Sequence, residues 1–348
     1  MSESNTASRA PVAGAAQGRP VMLVAGLVVL AVLLLGALIG PYHLPPKDVL
    51  RLIALGLSGQ ETSGPQATVL FNIRLPRVLA AALVGAALAV AGSAYQVTFR
   101  NPLVSPDILG VSAGAGLGAV LGIFLGLPVL AIQGLSFASG LGTVALVMLV
   151  GRAVGGRAET LPLVLCGIAI GALAGAGISL LKVLADPDDQ LPAMTFWLLG
   201  SLAGIQRGDV WLIVPPMLLG LVPLFLLRWR IGVLALGEDE AKALGVDTRR
   251  LRWLVIGSAT LITSAAVAAA GTIGWIGLMV PHMARLAIGA RFDRVLPMSL
   301  ILGAGLMVLI DTLARSIATT EVPLGVLTAV IGAPVFLVLL ARRNTGWN

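Results

Sequence analysis

The chain has 348 residues, of which 57% are hydrophobic and 11% are charged, and its formal net charge is +7. Soluble domains carry about 25% charged residues, so this composition excludes a water-soluble globular protein. It also excludes a disordered chain, because disorder requires few apolar residues. One cysteine and two histidines exclude a disulfide framework and a cysteine-based zinc site, and we expect no metal site or cofactor. The basic residues lie between apolar runs, which indicates a membrane protein and not a nucleic-acid-binding one.

Long apolar runs predict an all-α fold, because a helix needs about 20 apolar residues to cross the hydrocarbon layer. The first run exceeds the usual apolar region of a signal peptide, the competing interpretation, and we favour a retained helix. The segment 191–201 is too short to cross and is predicted to be a non-spanning helix. The ten predicted spans are 21–40, 78–97, 108–126, 129–150, 161–184, 209–228, 251–273, 276–290, 295–314 and 324–341.

The distribution of lysine and arginine predicts the orientation. With both termini in the cytoplasm, 16 of the 23 basic residues fall on the cytoplasmic side and seven fall outside. This excess agrees with the positive-inside rule and predicts a multi-pass membrane protein. We expect one transmembrane domain, 21–341, between a disordered tail, 1–20, and a C-terminal tail, 342–348. The loop 41–77 is an exception, since it carries four basic residues outside: Lys47, Arg51, Arg74 and Arg77.

Small residues repeat every four positions in two of the predicted helices, which is typical of close helix packing in lipid. In the fifth span the competing interpretation is a passage lined by glycines and Ser179. Before the third span, Ser105-Pro106-Asp107 is predicted to cap the helix N-terminus. The repeating glycines are Gly110, Gly114, Gly118, Gly122 and Gly126 in the third span, and Gly167, Gly171 and Gly175 in the fifth.

No catalytic motif is present. The lysines Lys47, Lys182 and Lys242 are followed by Asp, Val and Ala, so the phosphate-binding loop of ATPases is absent. ATP-driven transport would therefore need a separate ATPase subunit. Asp311 lies inside a predicted span with Arg315 one turn later, and we favour a structural ion pair over proton coupling. An ion-coupled secondary transporter remains the distant alternative, and a scaffold without transport is a further one.

The cytoplasmic loop 233–250 contains a short helical pattern within 236–246 that is acidic at its start, at Glu238. Gly245 is a typical helix stop. Ala241 and Leu244 are apolar in a segment that a solvated loop would leave polar. We therefore predict that this loop contacts another polypeptide, with a plain solvated loop as the alternative.

Taken together, motifs in both halves resemble the FecCD-type permeases of bacterial ABC importers, the membrane subunits of type II importers for ferric siderophores, haem and cobalamin. The resemblance covers residues 40–341. The motifs in the first half are Arg74-Leu75-Pro76-Arg77, Gly85-Ala86-Ala87-Leu88-Ala89, Gly92, Gln96, Asn101-Pro102-Leu103 and Pro106-Asp107-Ile108-Leu109-Gly110-Val111-Ser112. Those in the second half are Leu236-Gly237-Glu238, Ala241, Leu244-Gly245, Gly277-Leu278, Pro281-His282, Arg285, Asp311, Ala314-Arg315, Pro323-Leu324-Gly325-Val326 and Gly332-Ala333-Pro334-Val335-Phe336.

The resemblance implies ten membrane helices and a homodimer in the lipid of the bacterial inner membrane, with one central pathway. It also implies two cytoplasmic ATPase subunits, which bind ATP and magnesium, and one periplasmic binding protein. Arg74, Arg77 and Arg315 would pair with glutamates of that binding protein. The alternatives are that Arg74 and Arg77 anchor the helix at the headgroups and that Arg315 serves Asp311 only. ATPase coupling would fall to Gly237, Glu238, Ala241, Leu244 and Gly245.

On the cytoplasmic side, the resemblance places Asn101 and Leu103 at a gate and Glu159 with Thr160 at a second constriction. A plain turn dictated by Pro102 and Pro106 is the alternative for the first. His282 is interpreted as a packing residue. Because the chain has few metal donors, we expect the cargo to arrive already chelated. Haem is favoured, a ferric siderophore is next and cobalamin is third.

Overall fold

The computed structural model describes residues 18–40, 42–60, 63–155 and 160–343, and these parts contain helices and no strand. A π-helical segment, Val69–Arg74, joins α3 to α4, and a 3-10 helix, Pro106–Leu109, precedes α5. The helices are α1 (Gly18–Leu38), α2 (Pro46–Leu57), α3 (Pro65–Thr68), α4 (Leu75–Thr98), α5 (Val111–Phe124), α6 (Val129–Gly155), α7 (Thr160–Leu184), α8 (Gln190–Leu199), α9 (Arg207–Leu226), α10 (Arg228–Val233), α11 (Glu238–Ala243), α12 (Thr248–Ala270), α13 (Ile276–Ile288), α14 (Phe292–Ala314) and α15 (Leu324–Arg343).

The predicted all-α membrane fold is confirmed. Within the described ranges, seven helices are long and apolar enough to cross a membrane, and α5, α13 and α15 are shorter apolar helices. Together they correspond to the ten predicted runs. The ten-residue helix α8 lies where the sequence predicts a non-spanning helix. Residues 1–17 of the predicted N-terminal tail and 344–348 of the C-terminal tail lie outside the described residues, and α1 begins at Gly18.

The predicted boundary of the second span is wrong. Helical backbone runs without a break from Pro65 to Thr98, a length of 34 residues, whereas the sequence predicts a span at 78–97. Arg74 and Arg77 therefore lie inside a helix and not in an outer loop. The amphipathic α2 occupies another part of the predicted loop 41–77, and its Val49 is buried beside Leu70.

The predicted cap of the third span is also wrong. Pro106 begins a separate 3-10 helix, and the Ser105 side chain makes no capping hydrogen bond. The positive φ of Gly110, +76°, ends that helix and turns the chain into α5. The Asp107 carboxylate instead accepts a hydrogen bond from the Ser112 hydroxyl.

The central helix of the bundle is α4. In its most apolar 18-residue window, 83% of the residues are buried, which is the highest share among the described candidate spans. Its glycines allow backbone-to-backbone contact with two neighbours. A Cβ added at Gly85 would lie 2.2 Å from the carbonyl oxygen of Gly303 in α14, and one added at Gly92 would lie 1.8 Å from that of Gly277 in α13. These contacts are much closer than any side chain allows.

The predicted glycine faces pack helices at some positions and not at others. In α5, Gly114 and Gly118 lie against Ser139 of α6, and in α7 Gly167 lies against the carbonyl group of Ile108. Two further contacts involve the predicted glycines. Gly122 of α5 lies against Ile132 of α6, and Gly110 lies against Gly171. Gly126, which follows α5 with a φ of +64°, and Gly175 do not pack helices within the described residues, since a Cβ there would meet none of their atoms within 4 Å, and the prediction is wrong for them.

Several helix ends meet inside the bundle, where backbone groups need partners because lipid supplies none. The N–H of Ser201, after α8, donates to the carbonyl oxygen of Ala270 at the end of α12 at 2.9 Å. The N–H of Leu324, the first residue of α15, donates to the carbonyl oxygen of Gly200 at 3.0 Å. The ends of α8, α12 and α15 therefore supply hydrogen-bond partners for one another's backbone groups.

The close contact at Gly92 predicts that a larger side chain there lowers the stability of the protein. Changing Gly92→Ala forces α4 and α13 apart, and overpacking of this kind costs about 1–3 kcal/mol. We expect a lower thermal midpoint of the purified protein in detergent, measured by the monodisperse fraction after heating. The control is Gly257→Ala in α12, where a Cβ meets no atom within 4 Å. This change should leave the midpoint unchanged or raise it, because alanine favours helix by about 1 kcal/mol. Equal midpoints for the two variants would contradict the prediction.

Candidate functional site

A cluster of charged side chains joins the start of α4 to the end of α14. The Asp311 carboxylate is fully buried, and its Oδ1 accepts a hydrogen bond from Arg77 Nε at 2.9 Å. Arg77 also donates two bonds to the Glu321 carboxylate, at 2.6 and 3.0 Å. The Nε of Arg315 lies 3.5 Å from Asp311 Oδ2. Two carboxylates and two guanidinium groups thus form one network, which we call the arginine cluster.

Two arginines at this end of the bundle also bind the C-terminal carbonyl groups of α1. Arg74 donates to the carbonyl oxygens of Ala37 and Leu38, at 3.1 and 2.7 Å, and to that of Tyr42. Arg315 donates to the carbonyl oxygen of Gly36. The last carbonyl groups of a helix have no partner within it, and cations are favoured there. Both arginines therefore fasten α1 to the rest of the bundle.

The arginines named for partner docking are thus engaged inside the chain. Arg74, Arg77 and Arg315 are 2%, 6% and 5% exposed. The predicted ion pair of Asp311 with Arg315 is present, but Arg77 lies closer to Asp311. Of the carboxylates in the cluster, that of Glu321 is the accessible one, with 39% of its side chain exposed. Docking through these arginines stays a prediction.

The buried carboxylate should dominate the stability of the cluster. Asp311→Asn removes the negative charge between Arg77 and Arg315, and breaking a buried ion pair costs about 3–5 kcal/mol. We expect a clear fall in the thermal midpoint of the purified protein. Glu321→Gln is the matched control, because solvent reaches its carboxylate and its effect should be smaller. Equal losses in the two variants would show that burial does not set the cost.

The coupling segment predicted at 233–250 contains the short helix α11. It follows Gly237, whose φ is +134°, and Gly245, with a φ of +76°, lies just after it, at the predicted stop. The two apolar residues point in different directions: Ala241 is fully buried, whereas Leu244 is 56% exposed. Of the pair, Leu244 is therefore the residue available to another polypeptide.

Glu238 holds α11 on α12 by its own contacts. Its carboxylate lies 3.2 Å from Lys242 Nζ and 3.8 Å from Arg252 Nη2, and Thr248 Oγ1 donates to it at 3.5 Å. The hydrogen bond from Lys242 is the main reason that the pKa of Glu238 lies below its usual value. Glu238 therefore has a structural role, since it positions the coupling segment, and the sequence alone does not predict this role.

The predicted gate residues lie in the turn between α4 and the 3-10 helix. Asn101 and Leu103 are exposed, and Asn101 Oδ1 accepts a hydrogen bond from the Leu103 N–H at 2.9 Å. Glu159 lies outside the described residues, and Thr160 is the first residue of α7. Since α7 packs on the 3-10 helix through Gly167, its start lies at the same end of the bundle as the turn. The gate assignment itself stays a prediction.

Two polar residues next to this turn, Gln96 and Arg285, carry contacts that the sequence analysis does not predict. Arg285 Nη2 donates to Gln96 Oε1 at 2.6 Å. Both positions belong to the motifs quoted above, but only the fold brings them together across 189 residues. The signal in the sequence is one amide in α4 and one arginine in α13, since such side chains are rare in membrane helices without a polar partner.

Nothing in the described part of the chain offers a metal site: no three histidine, cysteine or carboxylate side chains come together there. A cavity of about 500 Å³ lies between α6, α9 and α12. Its walls in the described structure are apolar apart from Gln133. Apolar walls suit hydrocarbon and supply no metal ligand.

The comparison with known proteins identifies the family. The model of the FecCD transport family matches residues 27–342. The chain belongs to the FecCD transport family. This FecCD chain is therefore a membrane-spanning permease subunit of an ABC transporter, and the family expected from the motifs is confirmed.

Individual relatives agree over most of the length. The chain is 40% identical over 320 residues to the molybdate import system permease protein MolB of Haemophilus influenzae, covering 92% of this chain and 94% of that protein. It is 39% identical over 282 residues to the hemin transport system permease protein HmuU of Yersinia pestis, covering 78% and 83%. A solved structure described as an inward-facing metal-chelate type ABC transporter matches with a TM-score of 0.84 and 37% identity, covering 93% of this chain and 99% of that one.

Proposed function

We propose that this permease imports an iron chelate from the periplasm to the cytoplasm through the interface of a homodimer, driven by a partner ATPase. Haem is the favoured cargo and a ferric siderophore is next. The observation that carries the proposal is the family match over residues 27–342. The relative named for hemin supports the choice of haem. In the same proposal both termini face the cytoplasm, and the chain needs no cofactor of its own.

The ATPase would bind at α11. The exposed Leu244 lies just after this helix, and Ala241 and Glu238 hold it against the bundle. An apolar side chain that a partner buries, with polar contacts around it, is a common centre of a protein interface. Leu244 would be that side chain. Two ATPase subunits on a homodimer would contact the two copies of this surface.

Changing Leu244→Glu tests this surface. A charge at an apolar contact is left without a partner, so we expect a large loss of the ATPase subunit that copurifies with the permease. Leu244→Met is the matched control, because it preserves an apolar side chain of similar volume, and its yield should stay near wild type. Ala241→Glu is unsuitable, since Ala241 is fully buried and its change would disturb the fold. Full recovery of the complex with Leu244→Glu would exclude α11 as the contact.

We further propose that the arginine cluster faces the periplasm and meets the carboxylates of a binding protein. Charge-assisted bonds of this kind orient a partner and raise its rate of association. Docking through Arg77 requires that its present partners be exchanged, and Glu321 is the accessible one. Lipid would surround the remaining outer surface of the dimer.

Molybdate is a second candidate cargo that the sequence analysis does not consider. The relative named for molybdate import is 40% identical over 92% of this chain, and the relative named for hemin is 39% identical over 78%. Overall sequence identity therefore does not decide whether the cargo is an oxyanion or an iron chelate. Cobalamin, the third choice from the motifs, stays in the comparison.

The cargo is decided by uptake into proteoliposomes that contain the permease with its cognate ATPase and binding protein. We expect ATP-dependent accumulation of labelled haem, with less of a ferric siderophore and none of molybdate or cobalamin. Accumulation of molybdate alone would overturn the choice of an iron chelate. Uptake driven by an ion gradient without the ATPase would instead indicate a secondary transporter. Vesicles without ATP are the control.

A further inference from the structure

The turn that follows α4 determines its own shape by local bonds. The N–H of Asn101 donates to the carbonyl oxygen of Gln96 at 3.0 Å, and Arg100 adopts a φ of +49°, a left-handed helix ending. The N–H of Val104 donates to the carbonyl oxygen of Asn101 at 3.3 Å. These bonds close the turn on itself, and none of them attaches it to another helix.

The side chain of Gln96 joins the turn to α13 by hydrogen bonds, beside the packing of Pro106 on Gly277 of that helix. Its Nε2 donates to the carbonyl oxygen of Val104 in the turn and to that of Leu278 in α13, each at 3.2 Å. Its Oε1 accepts the 2.6 Å bond from Arg285, one turn before the end of α13. Both amide hydrogens and the amide oxygen are used, and the side chain is 4% exposed. The amide orientation follows from its partners, since carbonyl oxygens accept and a guanidinium group donates.

We propose that Gln96 and Arg285 form a polar clamp that holds the 101–105 turn to α13, so that the turn moves with this helix. An apolar side chain at position 96 would also fill the space, but without hydrogen bonds it would not fix the orientation of the turn relative to α13. Three directional bonds specify one arrangement. The proposal rests on the assignment of Asn101 and Leu103 to the cytoplasmic gate and names the residues that position that gate.

The contacts of α13 link the clamp to the rest of the bundle. The His282 ring packs edge-on against Phe336 of α15, with centroids 5.6 Å apart. Just beyond α13, the buried Phe292 begins α14 and packs against Gly232 of α10, the helix that leads into α11. A displacement of α11 by the ATPase would therefore reach α13 through packed groups and reach the turn through the clamp.

The clamp is tested by labelling a cysteine at the tip of the turn. The native Cys166 is first replaced by Cys166→Ala, and Leu103→Cys then introduces a reporter at a position that is 53% exposed. The rate of modification by a maleimide is measured on the purified permease in nanodiscs. In Gln96→Met the turn loses its hydrogen bond to this side chain, and we expect the rate to rise severalfold. Arg285→Lys, which retains the charge but not the planar fork, should also raise the rate.

Thr98→Val is the matched control, because Thr98 is buried at the same end of α4 and its hydroxyl donates, among the described residues, to the carbonyl oxygen of Ala94 in its own helix. Its labelling rate should equal that of the parent. An unchanged rate in Gln96→Met and Arg285→Lys, or an equal rise in Thr98→Val, would overturn the clamp. Labelling needs no cargo, ATPase or binding protein. A failure of uptake in the vesicles would therefore refute the proposed function without altering this result.

Discussion

Backbone contact between α4 and its neighbours determines where the polar groups of this protein lie. In lipid there is little hydrophobic drive between helices, so close packing must hold them together. Gly85 and Gly92 bring α4 against the backbones of α14 and α13. The same contacts place Arg77, at one end of α4, beside Asp311, and Gln96, at the other end, beside Arg285. One buried helix thus positions both the arginine cluster and the clamp.

Polar groups inside the bundle are tolerated because they have partners. Arg74 and Arg315 use the terminal carbonyl groups of α1, and Arg77 lies between two carboxylates. The cluster therefore stabilises the junction of α1, α4 and α14 within the chain. A partner that bears carboxylates would enter a network that is already neutralised, which makes docking an exchange of ion pairs and not a simple addition of one.

The opposite end of the bundle combines a firmly held segment with an exposed apolar side chain. Glu238 and the buried Ala241 attach α11 to the bundle, and Leu244 stays at the surface. Next to Leu244, α11 contacts α12, and α10 contacts α14, so packed groups join this surface to both long helices. The clamp at Gln96 gives the same end of the molecule a second directional contact, and the two together connect the surface that would bind an ATPase to the turn that would form the gate.

The sequence by itself determined the all-α membrane fold, the absence of an ATP-binding loop and the glycine stop after α11, because apolar run lengths and short motifs are local properties. It did not determine which side of α11 is exposed, since the burial of Ala241 depends on its contacts with the bundle. Nor did it show that Arg77 is buried, since its partner Asp311 is 234 residues away. Only the tertiary structure decided these points, because pairing between distant helices depends on how their backbones pack.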